Sequence, residues 1–157
     1  MVCPKFLIAL NQPKTRHMKK LLLLLITVTC LISCASGPKF SDYANRLPRP
    51  KESDGRIWFY RPQRILGAAV QPPVVLNGRK IGTAQPGGFF YADRPAGNYE
   101  VECTTEWTHK CHLTLAPQSN RYVRLNMMPG LFVGHVVPIE ADASDAVKEL
   151  QELHAND

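Results

Sequence analysis

The dipeptide Asn77-Gly78 is the tightest local constraint in this chain. It lies between Val74-Val75-Leu76 and Arg79-Lys80-Ile81, and both of its residues can hold the positive φ that a two-residue type I′ hairpin demands. Pairing across that turn predicts Val74 opposite Ile81 and Leu76 opposite Arg79 on one face, with Val75 and Lys80 on the other. One face is then mostly apolar, as a half-buried antiparallel pair requires.

The same period of two runs through the rest of the chain. Arg56-Ile57-Trp58-Phe59-Tyr60-Arg61 is aromatic and β-branched, and Pro62 closes it. Residues 88–94 carry Phe89, Phe90 and Tyr91, and Pro95-Ala96-Gly97 turns the chain into residues 98–103. There Tyr99, Val101 and Cys103 alternate with Glu100 and Glu102, and Cys111, Leu113 and Leu115 alternate with His112 and Thr114. A hairpin of these two strands sets Cys103 opposite Cys111, Val101 opposite Leu113 and Tyr99 opposite Leu115. Further strands are predicted over 121–127 and 131–139, divided by Pro129-Gly130. The tail changes period: Ala143, Ala146, Val147, Leu150 and Leu153 fall at helical spacing. Asp142 can cap a helix over 142–154, and Lys148 and Glu152 form an i,i+4 pair. Short strands, Gly/Pro turns and one terminal helix predict an all-β protein, a small β-sandwich with a short C-terminal α-helix.

Ahead of this domain the composition is different. Lys19 and Lys20 follow Met18, residues 21–32 form an apolar run, and Ser33 precedes Cys34. This is the layout of a secretory signal, and the run is short of the roughly 20 residues of a membrane span. Residues 1–33 read as a cleaved signal, with 1–17 an upstream over-extension if translation starts at Met18. Residues 34–54, with Gly37-Pro38 and Pro48-Arg49-Pro50, read as a flexible tether with a reach of roughly 25 Å. Residues 55–157 are the folded domain.

Leu31-Ile32-Ser33-Cys34 resembles the lipobox of bacterial lipoproteins, with Leu three places before the cysteine and small residues on either side of it. The resemblance implies a diacylglyceryl thioether on the Cys34 thiol and an acyl chain on its freed amine. Arg56-Ile57-x-Phe59-Tyr60-Arg61-Pro62, Asn77-Gly78-x-x-Ile81-Gly82, Phe89-Phe90-Tyr91 and Pro95-Ala96-Gly97-x-Tyr99 together resemble an uncharacterised family of bacterial lipoproteins defined by a domain of unknown function. The Asn-Gly hairpin and the Pro-x-Gly-x-Tyr turn also resemble prealbumin-like, carboxypeptidase-regulatory sandwiches. These resemblances imply a fold and a location, and carry over no catalytic residue.

Charge and cysteines narrow the function. The chain holds 19 basic and 13 acidic side chains, net +6. Five of the basic residues (Lys5, Lys14, Arg16, Lys19, Lys20) and no acidic one precede Cys34. From Cys34 onward the domain is nearly balanced, which argues against nucleic-acid binding. Cys3 and Cys30 leave with the signal. Cys103 and Cys111 remain in an oxidising compartment, where a disulfide is the favoured reading. The alternative is a metal or redox site on Cys103, His109 and Cys111. Alternation opposes it by turning His112 outward beside Glu102. His135, after Gly134, reads as a structural histidine beside a bulge.

No nucleophile elbow, His-Glu-x-x-His or phosphate loop occurs, so the expectation is a non-enzymatic binding or assembly module without a cofactor. Trp58 and Tyr60 share a face that is either buried under the helix, the favoured reading, or open as an aromatic groove. With Arg61, Arg64 and Arg79, candidates for contact with anionic lipid, they are the candidate partner surface. Ala35 lacks the Asp that holds enteric-type lipoproteins at the inner membrane. The expectation is therefore a lipid-anchored protein at the periplasmic side of the outer membrane, with an envelope protein as candidate partner.

Overall fold

The computed structural model describes residues 35–65 and 67–156. The expected signal segment, with Cys3 and Cys30, and the expected acylation site Cys34 lie outside the described residues. In chain order the elements are α1 (Phe40–Ala44), β1 (Asp54–Arg61), β2 (Pro73–Leu76), β3 (Arg79–Thr83), β4 (Gly88–Pro95), β5 (Gly97–Thr104), β6 (Thr108–Leu115), β7 (Asn120–Met128), β8 (His135–Ala141), α2 (Ala143–Leu150) and β9 (His154–Ala155). They form a small β-sandwich of two sheets, one ordered β8-β7-β1-β4-β9 and the other β3-β2-β5-β6.

β1 organises the larger sheet. It runs antiparallel to β4, with Asp54 opposite Pro95 and Arg61 opposite Gly88, and parallel to β7, with Arg56 opposite Asn120. A central strand covered on both faces must be apolar on both. Ile57 and Phe59 enter the core between the sheets with Val101, Leu113, Val123 and Leu125. Trp58 and Tyr60 point the other way, into a second core with Phe40, Phe89, Leu150 and Leu153. The expected burial under the terminal helix is observed, so neither ring contributes to an open partner surface. The Arg124 guanidinium holds α2 in place, donating to both carboxylate oxygens of Glu149 at 2.8 and 2.9 Å.

The helix stops at Leu150, short of the expected end at residue 154. The free edge of β4 takes the next residues as β9, pairing Gly88 with His154 and Phe89 with Ala155. The His154 N–H donates to Gly87 and the Asn156 N–H to Phe89. A sheet edge offers donors and acceptors to an extended chain, and that competes with a further helical turn. No side-chain cap from Asp142 is formed, and Lys148 pairs with Asp145 at 3.4 Å instead of Glu152.

Residues 35–53 are bound along their length, unlike the flexible tether their composition suggests. The Gly37 N–H donates to Ala155, the Ala155 N–H to Pro38, and the Phe40 N–H to Leu153. The Phe40 ring stands edge-on to Trp58 at 5.1 Å and to Phe89 at 5.4 Å. Further along, Arg56 clasps the Asp93 carboxylate through two nitrogens and donates to the Pro48 carbonyl at 2.9 Å, its guanidinium 4.4 Å from the centre of the Tyr91 ring. The Gln118 amide reaches the carbonyls of Pro50 and Lys51. This strap supplies the second core with its outer lid.

Both hairpins differ in register from the sequence expectation. Asn77 and Gly78 hold φ of 46° and 77°, as a type I′ turn needs. Leu76 faces Arg79 and Val75 faces Lys80, but a bulge then places Val74 opposite Gly82 instead of Ile81. β5 and β6 close through residues 105–107 alone, which sets Cys103 opposite His109 and Val101 opposite Cys111. Cys103 thus meets His109 where Cys111 was expected, an even shift, so every side chain keeps its predicted face while losing its predicted partner.

Candidate functional site

The thiols show what that offset does. Cys103 and Cys111 are free. They are diagonal neighbours on one face, a separation of about 7–8 Å between Cα atoms, too long for Cβ atoms that a disulfide holds about 4 Å apart. The expected bridge is therefore not formed. Burial, then the charge of Glu102, pushes the Cys103 thiol up to about 12, which leaves it a small apolar core residue. The metal alternative meets the same geometry. His109 lies across from Cys103 and stacks on His135 at 4.8 Å, while Cys111 sits across from Val101. Among the described residues no three ligating side chains converge. His112 pairs with Glu100 at 3.1 Å instead of Glu102, and Lys110 bridges Glu100 and Glu102 at 2.8 and 3.4 Å. These are cross-strand pairs on a solvated face.

Of the candidate partner residues, Trp58, Tyr60 and Arg61 are buried. Arg61 is only 2 % exposed, because its guanidinium donates to the carbonyls of Val70, Ala84 and Gly67. It is the hub on which the loops after β1 and β3 are folded, and it offers nothing to a partner. Arg79 remains exposed on β3, and Arg64 is exposed at the end of the sandwich where β1 and β7 finish.

That end carries the most distinctive surface of the molecule. Seven large apolar side chains are exposed among the described residues, and six belong there: Ile65, Trp107, Met128, Leu131, Phe132 and Val133. Ile65 follows the last residues of β1, Trp107 lies in the β5–β6 turn, and 131–133 form the β7–β8 loop. Phe132 is 94 % exposed and Ile65 98 %. A recess of ≈ 380 Å³ beside them is lined by Arg64, Met127, Phe132 and Val133.

The loop is held although its side chains point out. The Glu106 carboxylate accepts the backbone N–H groups of Leu131 (3.0 Å), Phe132 (2.8 Å) and Val133. Those bonds, the one from Val133 foremost, hold its carboxyl below the usual range, with His135 adding to the effect. His135 begins β8 instead of lying within a bulged strand, and Trp107 stands edge-on to it at 5.2 Å. Among the described residues, the Nδ1 of His135 and the Nε2 of His109 are buried without a hydrogen-bond partner.

Leu131-Phe132-Val133 has strand composition, which is why the sequence suggests a strand over 131–139. The signal that separates a presented loop from a strand is Pro129-Gly130 before it and Gly134 after it, two breaks close together. The strap has a signal too: Phe40, Tyr43, Ala44 and Leu47 fall at helical spacing, and all four join the second core.

Ala35 enters the fold at this same end. Its N–H reaches the Pro86 carbonyl at 3.5 Å, and its Cβ lies within 2.9 Å of where a side chain on Gly88 would begin. Gly88 is opposite Arg61, the end of β1.

A family model described as a protein of unknown function, DUF2846, matches residues 51–136. The chain belongs to that family. The matched span runs from just before β1 into β8 and contains all the loops of the apolar end. No curated protein and no solved structure matches the chain.

Proposed function

We propose that this member of the DUF2846 family is a lipid-anchored envelope protein. Acylated Cys34 holds the sandwich at the periplasmic side of the outer membrane, where it serves as a non-enzymatic binding or assembly module. The observation that carries the reading is the order Lys19-Lys20, apolar run 21–32, Leu31-Ile32-Ser33-Cys34. It joins the layout of an export signal to a cysteine in the lipobox pattern it resembles, which implies lipid transfer to Cys34 and cleavage before it. The fold is compatible with cleavage there. The described residues fall within one compact unit, and every described core residue lies at or beyond Phe40, so loss of residues 1–33 removes none of them.

The metal or redox reading on Cys103, His109 and Cys111 has no comparable support, since the β5–β6 register gives the two thiols different partners. Cell fractionation tests the proposal. The wild-type chain is expected in the membrane pellet and in the detergent phase on phase separation. Cys34→Ser is expected to lose the lipid and leave the detergent phase. Wild-type protein released by osmotic shock alone would refute the reading.

A further inference from the structure

Building on the reading that Cys34 is acylated, we propose that the apolar end of the sandwich is itself a lipid-facing surface. Ile65, Leu131 and Phe132 enter the headgroup–acyl boundary of the leaflet that holds the Cys34 lipid, and the domain stands end-on to the bilayer. Three independent features of the structure lead there.

The first is where the chain enters the fold. Ala35 is one peptide bond from Cys34, and consecutive Cα atoms are about 3.8 Å apart. Ala35 is bonded to Pro86, Gly37 to Ala155 and Phe40 to Leu153, so there is no slack between anchor and domain. The β7–β8 loop lies two to three strands across the sheet from Gly88, roughly 10–15 Å at the usual strand spacing. A lipid on Cys34 therefore brings this end of the sandwich down to the membrane surface.

The second is charge. The loops that form this end, residues 62–72, 84–87, 105–107 and 129–134, contain two ionisable side chains, Arg64 and Glu106. Glu106 is engaged by the backbone of 131–133. Arg64 is an exposed cation at the rim of the recess, and the ionised Glu106 balances it, so these loops carry no net charge and offer the membrane surface chiefly apolar side chains.

The third is how the loop is built. Backbone N–H groups that enter hydrocarbon need internal acceptors, because no water is there to replace them. Glu106 supplies them to three successive residues. The loop thus shows apolar side chains outward with those donors satisfied inward.

The test uses the protein purified from membranes after expression of the full-length chain, with Phe132→Trp in a Trp107→Phe background and Trp58 left as a buried internal reference. The protein is reconstituted into phosphatidylethanolamine–phosphatidylglycerol vesicles, and intact mass on the same sample reports acylation. With lipids brominated high on the acyl chain, emission from the indole at position 132 is expected to fall at least about twofold, as for a ring about 5–10 Å below the headgroups. Adding Ile65→Asp and Leu131→Asp should abolish most of that quenching while the mass still shows lipid and the thermal midpoint is unchanged. An acylated protein whose introduced indole ignores the bromines overturns the proposal and leaves the anchor reading standing. So does chemical cross-linking of two copies through this end without quenching. Quenching that survives both aspartates also overturns it. An unmodified mass overturns the anchor reading and this inference with it.

Discussion

Phe40→Ala tests whether the strap is a built part of the domain. The Phe40 ring is only 7 % exposed and packs edge-on against Trp58 and Phe89. Truncating a buried phenylalanine costs about 3–5 kcal/mol. Because the strap is held otherwise by partly buried Tyr43, Ala44 and Leu47 and a few backbone bonds of about 1 kcal/mol each, the loss falls on local opening before global unfolding. At about 1.4 kcal/mol per factor of ten, the open population rises roughly a hundredfold to a few thousandfold. Native-state hydrogen exchange reads this directly: the amides of Gly37, Phe40 and Ala155 should accelerate by that factor, and the Val123 amide in β7 much less. Equal acceleration at Val123, or less than about tenfold at the strap, would refute the idea of a separately opening lid. In the acylated protein the freed segment restores a tether of roughly 25 Å, so lipid contact at Phe132 should weaken while attachment persists.

Four further outcomes follow from named groups. Glu106→Gln removes the charged acceptor of the β7–β8 loop, and exchange at Leu131, Phe132 and Val133 should quicken by roughly tenfold with little change in the core. The Glu106 carboxyl is depressed below its ordinary 4.5, so its stabilising effect is complete above the unfolded-state value and is lost as pH falls through the lower folded value. Protection of the loop should accordingly be flat at pH above the ordinary 4.5 and decline only as pH falls below it. Arg61→Met leaves three carbonyls without their donor and should lower stability by about 2–4 kcal/mol in urea titration; a change under about 1 kcal/mol would contradict the role given to that side chain. Native alkylation at about pH 8 should modify the half-buried Cys111 and spare Cys103, whose thiol lies at about 12. Denaturation without reductant should expose both, and failure to label either would show them bridged.

The strands are legible because alternation and turn chemistry are local. Asn77-Gly78 announces its hairpin through the φ it permits, and the run 56–61 announces a strand covered on both faces. What stays hidden depends on partners distant in sequence. The parallel pairing of β1 with β7 joins residues over sixty positions apart, and nothing in either strand encodes it. The β5–β6 offset is invisible because shifting by two preserves every inward and outward face; only the length of the turn distinguishes Cys103 opposite Cys111 from Cys103 opposite His109. Arg61 reads as a surface cation because composition does not reveal that three loop carbonyls converge on it. The strap misleads for a related reason: its prolines and charges outweigh four core residues. The apolar end is split among three separate stretches, around residues 65, 107 and 131, which only the fold brings to one side.

Cys34 as the acylated first residue of a domain packed from Ala35 onward is the claim on which both the anchor and the lipid-facing end rest. Intact mass of the protein extracted from membranes measures that without intermediaries. The expected result is a chain of residues 34–157 carrying the added mass of a diacylglyceryl group and an amide-linked acyl chain on its first residue. A mass matching an unmodified chain, or one starting at any other residue, would contradict it.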